Sequence, residues 1–539
     1  MNNKRKLKIL VVSEAHWLCT GYSTYYKNIC EALHAAGHEV SELASYGNEN
    51  LDDHVKAAKK CPWSVYLNIP NINNTDRWER YNHAKSHMFD AEFGSWDFEN
   101  IVLDCMPDIV IAIRDHWYDK FILDSPLAKY YKVILSPTVD SAPQKSDWLD
   151  TFQKVDALSF YTQWSEDWIK TQYNQPNIVP HIPPGPNPDY YPIDKDIARN
   201  KLGLPIGNKI LLTVMRNQGR KMYPYLLEAF SQLKDKSILL YCHTHFEDRG
   251  WDLPKLIAQN GITNRVYFSY KCKECLDVSS DILKSNNKCA KCNSVKEICS
   301  VQDGASNEEL NCVYNSASLY IQWANSEGFG IPLIEAAATG LKIITVDFSA
   351  PEDIATKTIS FPIKPLSLQR EMGTLCSRAV PDNKSLIELL DNPESWVYDK
   401  DEVLKKLREN YDWAKTGEKW VNLVESQIPK DNWTESTLLL RPPSFDQIKK
   451  LNKFDFVKAC ILNVAQEESL LGTFIHGEAL EHLESGFYIP EDKKNSIKGN
   501  LQKPVTPEMV YHKFYNMLEN KVKWERGKND KLSKVLNNG

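Results

Sequence analysis

The chain opens with an apolar run, a helical pattern and a second apolar run in close succession. Residues 8–13 are apolar at nearly every position, which is typical of a strand buried on both faces of a parallel sheet. Residues 24–36 carry apolar side chains at helical spacing, and Gly37 is placed to end that helix. Residues 38–40 start another strand. This unit predicts a right-handed crossover in a doubly wound sheet.

The same alternation recurs in two long stretches. In the first stretch, strands are predicted at residues 107–113, 132–136 and 156–161. In the second, strands are predicted at residues 209–214, 237–241, 265–268, 319–321 and 342–346. The segment between the stretches, residues 180–192, holds six prolines and is interpreted as an ordered linker. The fold class is therefore α/β, with two Rossmann-like doubly wound domains that face a ligand-binding cleft.

Four units follow from this pattern. Residues 1–192 form an N-terminal Rossmann-like domain and residues 193–430 a C-terminal one. Residues 270–300 interrupt the second domain as a cysteine-rich insertion. Residues 431–539 form an extension that is expected to be mainly helical and is basic toward its end.

The composition indicates the general class of protein but not any reaction that it catalyses. The 539 residues are 42% hydrophobic and 25% charged, which is ordinary for a globular protein and excludes disorder as the main state. A net charge of −6 does not indicate a nucleic-acid binder. Apolar runs are too short for a membrane span, and the N-terminal run is too short for a secretory signal. We expect a cytoplasmic protein in a reducing compartment, where the 13 cysteines form no disulfide framework.

The segment 326–340 is the most informative for chemistry. A strand runs into a turn bracketed by glycines, and Pro332 falls in the first turn of the following helix. Free backbone N–H groups at that helix start suit a phosphate or a sugar hydroxyl. Glu327 lies in the turn and Glu335 eight positions later on the helix. Two glutamates alone would equally fit a strand–turn–helix with solvated side chains.

Four cysteines are spaced as in a metal site. Cys272 and Cys275 form one CxxC pair, Cys289 and Cys292 form a second, and residues 276–288 separate the pairs. This spacing predicts a tetrahedral four-thiolate zinc site, which leaves no open position and is therefore structural. A thiol redox pair is the alternative.

The glutamate segment resembles the E-x7-E signature of retaining glycosyltransferases of family 4, which have the GT-B fold. Residues 307–321 are similar to the helix and strand that precede this signature. Residues 21–23 with 37–40, and residues 182–185 at the linker, are similar to other blocks of that family in the same order. The resemblance covers about residues 8–430, and the cysteine insertion departs from the usual pattern.

The resemblance implies a nucleotide-sugar site on the C-terminal domain. Glu335 would accept hydrogen bonds from the ribose hydroxyls, and Glu327 would lie beside the donor sugar. Phe329 and Gly330 would present backbone N–H groups to that sugar.

The diphosphate would lie between the domains. Arg216 and Lys221 match the cations that hold it in the family, and Arg220 would substitute for either. Gly21 would let the N-terminal loop approach the diphosphate closely, beside Tyr22. The resemblance also implies that no catalytic metal is needed, and an Arg/Lys pair fits that expectation.

The N-terminal domain would receive the acceptor. His116 and Asp140 each follow a predicted strand, and either would orient or deprotonate an acceptor hydroxyl, although both are also explained as structural residues. In the family the retaining step is described as front-face displacement, which requires no dedicated base.

The sequence therefore predicts a retaining glycosyltransferase that uses a nucleoside-diphosphate sugar, with a UDP-sugar as the first expectation. The zinc ribbon would bind a partner or only brace the fold, and the basic residues from 493 onward would dock something anionic or only be solvated. Together they suggest a virus-type enzyme, in the host cytoplasm, that modifies a 5-hydroxymethyl pyrimidine in DNA. A glycan-synthesising enzyme and a catalytically silent nucleic-acid-binding scaffold are the alternatives.

Overall fold

The computed structural model describes residues 5–18, 20–125, 127–246, 248, 250–283, 288–300, 303–430 and 433. The basic extension predicted at 431–539 lies outside the described residues, apart from Trp433. Within the described part, the helices are too short or too polar to cross a bilayer.

The N-terminal half is a six-stranded, all-parallel sheet in the order β3-β2-β1-β4-β5-β6, which is the doubly wound order that the first βαβ unit predicts. Its strands are β1 (Lys8–Glu14), β2 (Glu39–Asn48), β3 (Ser64–Ile69), β4 (Ile109–Arg114), β5 (Lys132–Pro137) and β6 (Ala157–Leu158). Its helices are α1 (Gly21–Ala35), α2 (Asp52–Lys60), α3 (Thr75–His87), α4 (Phe98–Cys105), α5 (Lys120–Asp124), α6 (Ser146–Gln153) and α7 (Gln163–Gln172).

The C-terminal half is built on a second sheet in the order β10-β9-β8-β7-β12-β13-β14, with β11 also paired to β9. The strands are β7 (Ile210–Val214), β8 (Leu239–His243), β9 (Val266–Cys272), β10 (Val278–Ile282), β11 (Lys296–Ile298), β12 (Leu319–Gln322), β13 (Ile343–Val346) and β14 (Ser360–Ile363). A separate hairpin pairs β15 (Ser367–Arg370) with β16 (Ser377–Val380). The helices are α8 (Lys195–Leu202), α9 (Tyr223–Gln232), α10 (Leu253–Gln259), α11 (Asn307–Asn315), α12 (Ile331–Ala338), α13 (Ala350–Lys357), α14 (Asn383–Asp391), α15 (Lys400–Asn410) and α16 (Trp413–Ser426).

Helix α16 crosses back from the C-terminal half and packs on α1. The Trp420 indole donates to the Tyr25 hydroxyl at 3.0 Å, and Tyr25 in turn donates to the carbonyl of Ile182 in the linker. Gly185 lies against the Trp413 backbone with no room for a Cβ. The proline-rich linker is thus clamped between α1 and α16, and the two sheets turn the carboxyl ends of their central strands toward one cleft.

Candidate functional site

The turn between β12 and α12 reaches across the cleft. Gly330 adopts a left-handed φ of 93° and caps α12, while Pro332 occupies the first helical turn. A Cβ on Gly328 would collide with the Thr138 methyl group, which follows β5 of the N-terminal half. Only glycine therefore lets this turn lie against the opposite half.

Glu327 is the centre of a buried charge cluster in this turn. Its carboxylate accepts from the Lys221 ammonium, from Arg220 at 2.6 Å and from the Gln322 amide at 2.6 Å. Its backbone N–H donates to Ser349 at 2.9 Å. Burial alone would raise the pKa of Glu327, but attraction to Lys221 and Arg220 outweighs it and lowers the pKa to about 2. Glu327 is therefore a fixed anion.

The two cations of this cluster differ in their exposure to solvent. Lys221 is buried, and burial and the neighbouring Arg220 lower its pKa to about 8 in spite of Glu327. Arg220 also donates to the Ser326 carbonyl at 3.2 Å, and its side chain is 38% exposed toward the cleft. Arg220 and Lys221 are thus positioned to meet an anion that enters between the halves.

Arg216 points away from this pair. Its guanidinium makes two hydrogen bonds to Asp248, at 2.9 and 3.1 Å, and half of its side chain is exposed. The five-residue spacing of Arg216 and Lys221 therefore places only Lys221 against Glu327, and Arg220 takes the second position in this arrangement.

Glu335 lies on α12 behind the turn. It is buried, and its carboxylate accepts from the Tyr314 hydroxyl at 2.7 Å. Burial raises the pKa of Glu335 to about 7, and the bond from Tyr314 opposes part of that rise. A carboxyl with one neutral donor retains room for further donors such as paired hydroxyls. Phe329, two residues before α12, is buried against the Tyr411 ring.

On the N-terminal half, α1 begins at Gly21, and a Cβ there would touch the Ile331 side chain at 3.4 Å. The first turns of α1 and α12 therefore face one another. Next to Gly21, the Tyr22 hydroxyl donates to Asp115 at 2.8 Å and pairs with Thr138 at 2.7 Å. The sequence pointed to the neighbouring His116 and not to Asp115.

Asp115 is a partly buried carboxyl that the N-terminal half presents beside Tyr22. Burial against the cleft raises its pKa to about 7, the bond from Tyr22 lowers it, and the charge of Asp140 raises it further. Asp140 itself is ion-paired with Arg378 of β16 at 2.8 Å and accepts from Ser326 at 3.3 Å. Asp140 thus contacts the turn that carries Glu327.

His116 does not reach the cleft. Its ring is fully buried beside Trp117, Trp148 and Phe152, with centroids 5.1, 5.2 and 4.9 Å away, and neither nitrogen has a hydrogen-bond partner among the described residues. Burial lowers its pKa to about 3, so the ring is neutral. This placement is that of a packing residue.

The four predicted cysteines come together at the edge of the second sheet. Cys272 ends β9, and the sulfur atoms of Cys272 and Cys292 lie 3.3 Å apart, those of Cys275 and Cys289 3.5 Å, and those of Cys275 and Cys292 3.9 Å. Four thiolates at zinc–sulfur distances of about 2.3 Å would be separated by about 3.8 Å. The cluster therefore fits a tetrahedral ion.

The comparisons agree with this architecture. Residues 287–365 match the model of the glycosyl transferases group 1 family. Similar solved structures include sucrose-phosphate synthase from Thermosynechococcus elongatus (15% identity, TM-score 0.55, 78% of this chain and 98% of that one). A glycosyltransferase from Rickettsia africae has 15% identity and a TM-score of 0.52, covering 78% of this chain and 100% of that one.

HepE from Anabaena, solved with UDP and glucose, has 12% identity and a TM-score of 0.53 over the same shares. Among curated proteins, none matches the chain in sequence. These neighbours show the GT-B fold that the two facing sheets form. With that fold and a glycosyl transferases group 1 segment across its central turn, the chain is a glycosyltransferase.

Proposed function

We propose that this glycosyltransferase is a retaining enzyme of family 4 that transfers a sugar from a UDP-sugar to an acceptor hydroxyl. The observation that carries the proposal is the contact of Glu327 with Lys221 and Arg220 at the cleft, in front of the free N-terminus of α12. The HepE structure with UDP and glucose supports UDP as the nucleotide.

In this proposal the cations neutralise the leaving diphosphate. Lys221 and Arg220 would meet its oxygens, and Arg216 would join them on leaving Asp248. The N–H groups of Phe329 and Gly330 would bind the sugar, and Glu335 would accept from the ribose hydroxyls.

The reaction would break the anomeric C–O bond to the diphosphate and form a bond from the acceptor oxygen on the same face. The acceptor proton would pass to the departing phosphate oxygen, so that the products are the glycoside and UDP. Asp115 would orient the acceptor hydroxyl from the opposite wall of the cleft.

Donor hydrolysis without acceptor tests the activity against the scaffold alternative. We expect UDP release by the wild-type chain, its loss in Lys221→Ala, and wild-type rates in Lys234→Ala, which removes an exposed lysine of the same half. Retention is read from the anomeric configuration of the first-formed product by NMR. Absence of UDP release from every nucleotide sugar tried, with the chain folded, would favour a silent scaffold.

The two candidate acceptors are a 5-hydroxymethyl pyrimidine in DNA and a glycan. Mass spectrometry of both acceptor classes after incubation with UDP-sugars decides it, because a hexose or pentose adds a fixed mass to the acceptor that is used. We also propose that the four cysteines hold a structural Zn²⁺ that braces β9, β10 and β11.

A further inference from the structure

The hairpin of β15 and β16 lies outside both sheets and follows the last strand of the C-terminal half. Its two strands pair antiparallel from Ser367 opposite Val380 to Arg370 opposite Ser377. No charge-bearing motif marks this segment in the sequence.

One edge of β16 is bonded to both halves of the molecule. The Ser377 N–H donates to the Ala142 carbonyl of the N-terminal half at 2.8 Å. Two residues on, the Ala379 N–H donates to the Asn325 carbonyl of the C-terminal half at 2.9 Å. The Cys376 thiol, fully buried, donates to the Pro143 carbonyl at 2.9 Å. The strand therefore straddles the cleft opening.

Arg378, between these two N–H donors, carries the charge that joins the halves. Its guanidinium pairs with Asp140 at 2.8 Å, donates to the Ser326 hydroxyl at 2.5 Å and reaches Glu371 of its own hairpin at 3.1 Å. The Arg378 side chain is mostly buried, and its three partners belong to different segments of the chain. Ser326 immediately precedes Glu327, so Arg378 touches the turn that holds the central charge cluster.

We propose that this hairpin is a latch across the cleft and that Arg378 is a positioning residue, which fixes the Ser326–Glu327 turn against Asp140 in the closed enzyme. The part that concerns catalysis rests on the proposed function, whereas the latch itself rests only on the contacts. Without Arg378, Asp140 loses its cation, the turn loses a tether, and the halves separate more readily. Donor binding, which the C-terminal half supplies, would persist, while transfer would fall.

The Cys376 thiol reports on the latch independently of activity. Alkylation of the intact chain, resolved by peptide mass spectrometry, gives the rate at which this buried sulfur becomes accessible. We expect Arg378→Gln and Asp140→Asn each to raise that rate about tenfold, since each breaks a partly buried ion pair between the halves. Arg370→Gln is the matched control, because within the described residues the Arg370 side chain bonds only inside the hairpin, to the Leu375 carbonyl at 2.9 Å.

Kinetics give the second readout. In Arg378→Gln we expect kcat to fall about tenfold with the Kd for UDP within about threefold of wild type, and Arg378→Lys to recover part of the loss. Equal alkylation rates of Cys376 in wild type, Arg378→Gln and Asp140→Asn would overturn the latch even if the enzyme is active. Faster alkylation in a chain that turns over no nucleotide sugar would keep the latch and reject the proposed function.

Discussion

Two carboxylates on opposite walls of the cleft, Glu327 and Asp115, have their hydrogen-bonding needs met in opposite ways. In the C-terminal half, Glu327 is enclosed by Lys221, Arg220 and Gln322 and its pKa falls to about 2. In the N-terminal half, Asp115 has a hydrogen bond from Tyr22, and its pKa rises to about 7. Glu327 is thus a fully paired anion, whereas Asp115 is an acid that is held by a neutral donor.

This difference fits a division of labour between the halves. A diphosphate is a constant feature of nucleoside-diphosphate sugars, so its site gains from being preorganised. An acceptor hydroxyl is a neutral donor, and a partly buried carboxyl with spare acceptor capacity is a suitable partner for it. Substitutions on each wall test this contrast, and the largest effect is expected at Glu327.

Glu327→Gln removes the anion at the centre of the charge cluster. Lys221 and Arg220 then stay together without their anion, and we expect kcat/KM to fall about 10²- to 10³-fold. Removing one partner of a buried pair should also lower the free energy of unfolding by about 3 kcal/mol. Steady-state kinetics and denaturant unfolding measure both effects. The exposed Glu388→Gln on α14 is the control, and wild-type activity in Glu327→Gln would remove this cluster from the mechanism.

Asp115→Asn tests the opposite wall. The amide keeps the contact with Tyr22 but loses the charge, so we expect kcat for transfer to fall about tenfold to a hundredfold. Donor hydrolysis should change less than transfer, because the proposed donor site is on the other wall. An equal loss of hydrolysis and transfer would mean that Asp115 acts on the donor instead.

Only part of the contrast between Glu327 and Asp115 could be predicted from the sequence. Glu327 was selected because a glycine-bracketed turn is a local pattern with a known geometry, and Lys221 and Arg220 were selected from the resemblance to a known family. The structure brings the three side chains together. Arg216 fitted the same pattern, yet it lies against Asp248, since spacing along a loop does not fix the direction of a side chain.

The acceptor wall depends on contacts between distant segments. Arg378 meets Asp140 across 238 positions of sequence, and no local pattern encodes such a pair. Residues 114–117, all polar or aromatic, lie at the end of β4, but only the fold decides that Arg114 and His116 turn inward while Asp115 is partly exposed. The four-cysteine cluster was predictable because its members are close in sequence.

The pH dependence of donor binding sharpens the role of Glu335. Its pKa of about 7 means that the carboxylate form is lost as the pH falls below 7. Donor hydroxyls would favour that form, so we expect Kd to rise by up to about tenfold per pH unit below 7. Calorimetry with a non-hydrolysable UDP-sugar analogue measures this, because its diphosphate diester does not titrate there. Glu335→Gln should flatten the profile, and a wild-type profile that is already flat would contradict the ribose role.

Removal of the proposed zinc ion tests whether the cysteine cluster stabilises the second sheet without affecting catalysis in the cleft. Cys275→Ser should abolish a stoichiometric Zn²⁺, measured by mass spectrometry, and lower Tm. Hydrogen exchange should rise in β9, β10 and β11 and stay unchanged in the N-terminal half, since β10 and β11 pair with β9. At 25 °C we expect kcat to change less than about threefold. Cys105→Ser, at a half-buried thiol of the other half, is the control, and full metal content in Cys275→Ser would exclude the site.

The smallest effect is expected at His116. A neutral ring with no polar partner among Trp117, Trp148 and Phe152 is a packing group, so His116→Phe should change the free energy of unfolding by less than about 1 kcal/mol. Activity should stay within about twofold of wild type, with no change in the acidic limb of the pH profile, because a pKa near 3 keeps the ring neutral throughout. A hundredfold loss in a folded His116→Phe chain would show instead that the ring turns into the cleft during catalysis, and the acceptor wall would then hold a second titrating group beside Asp115.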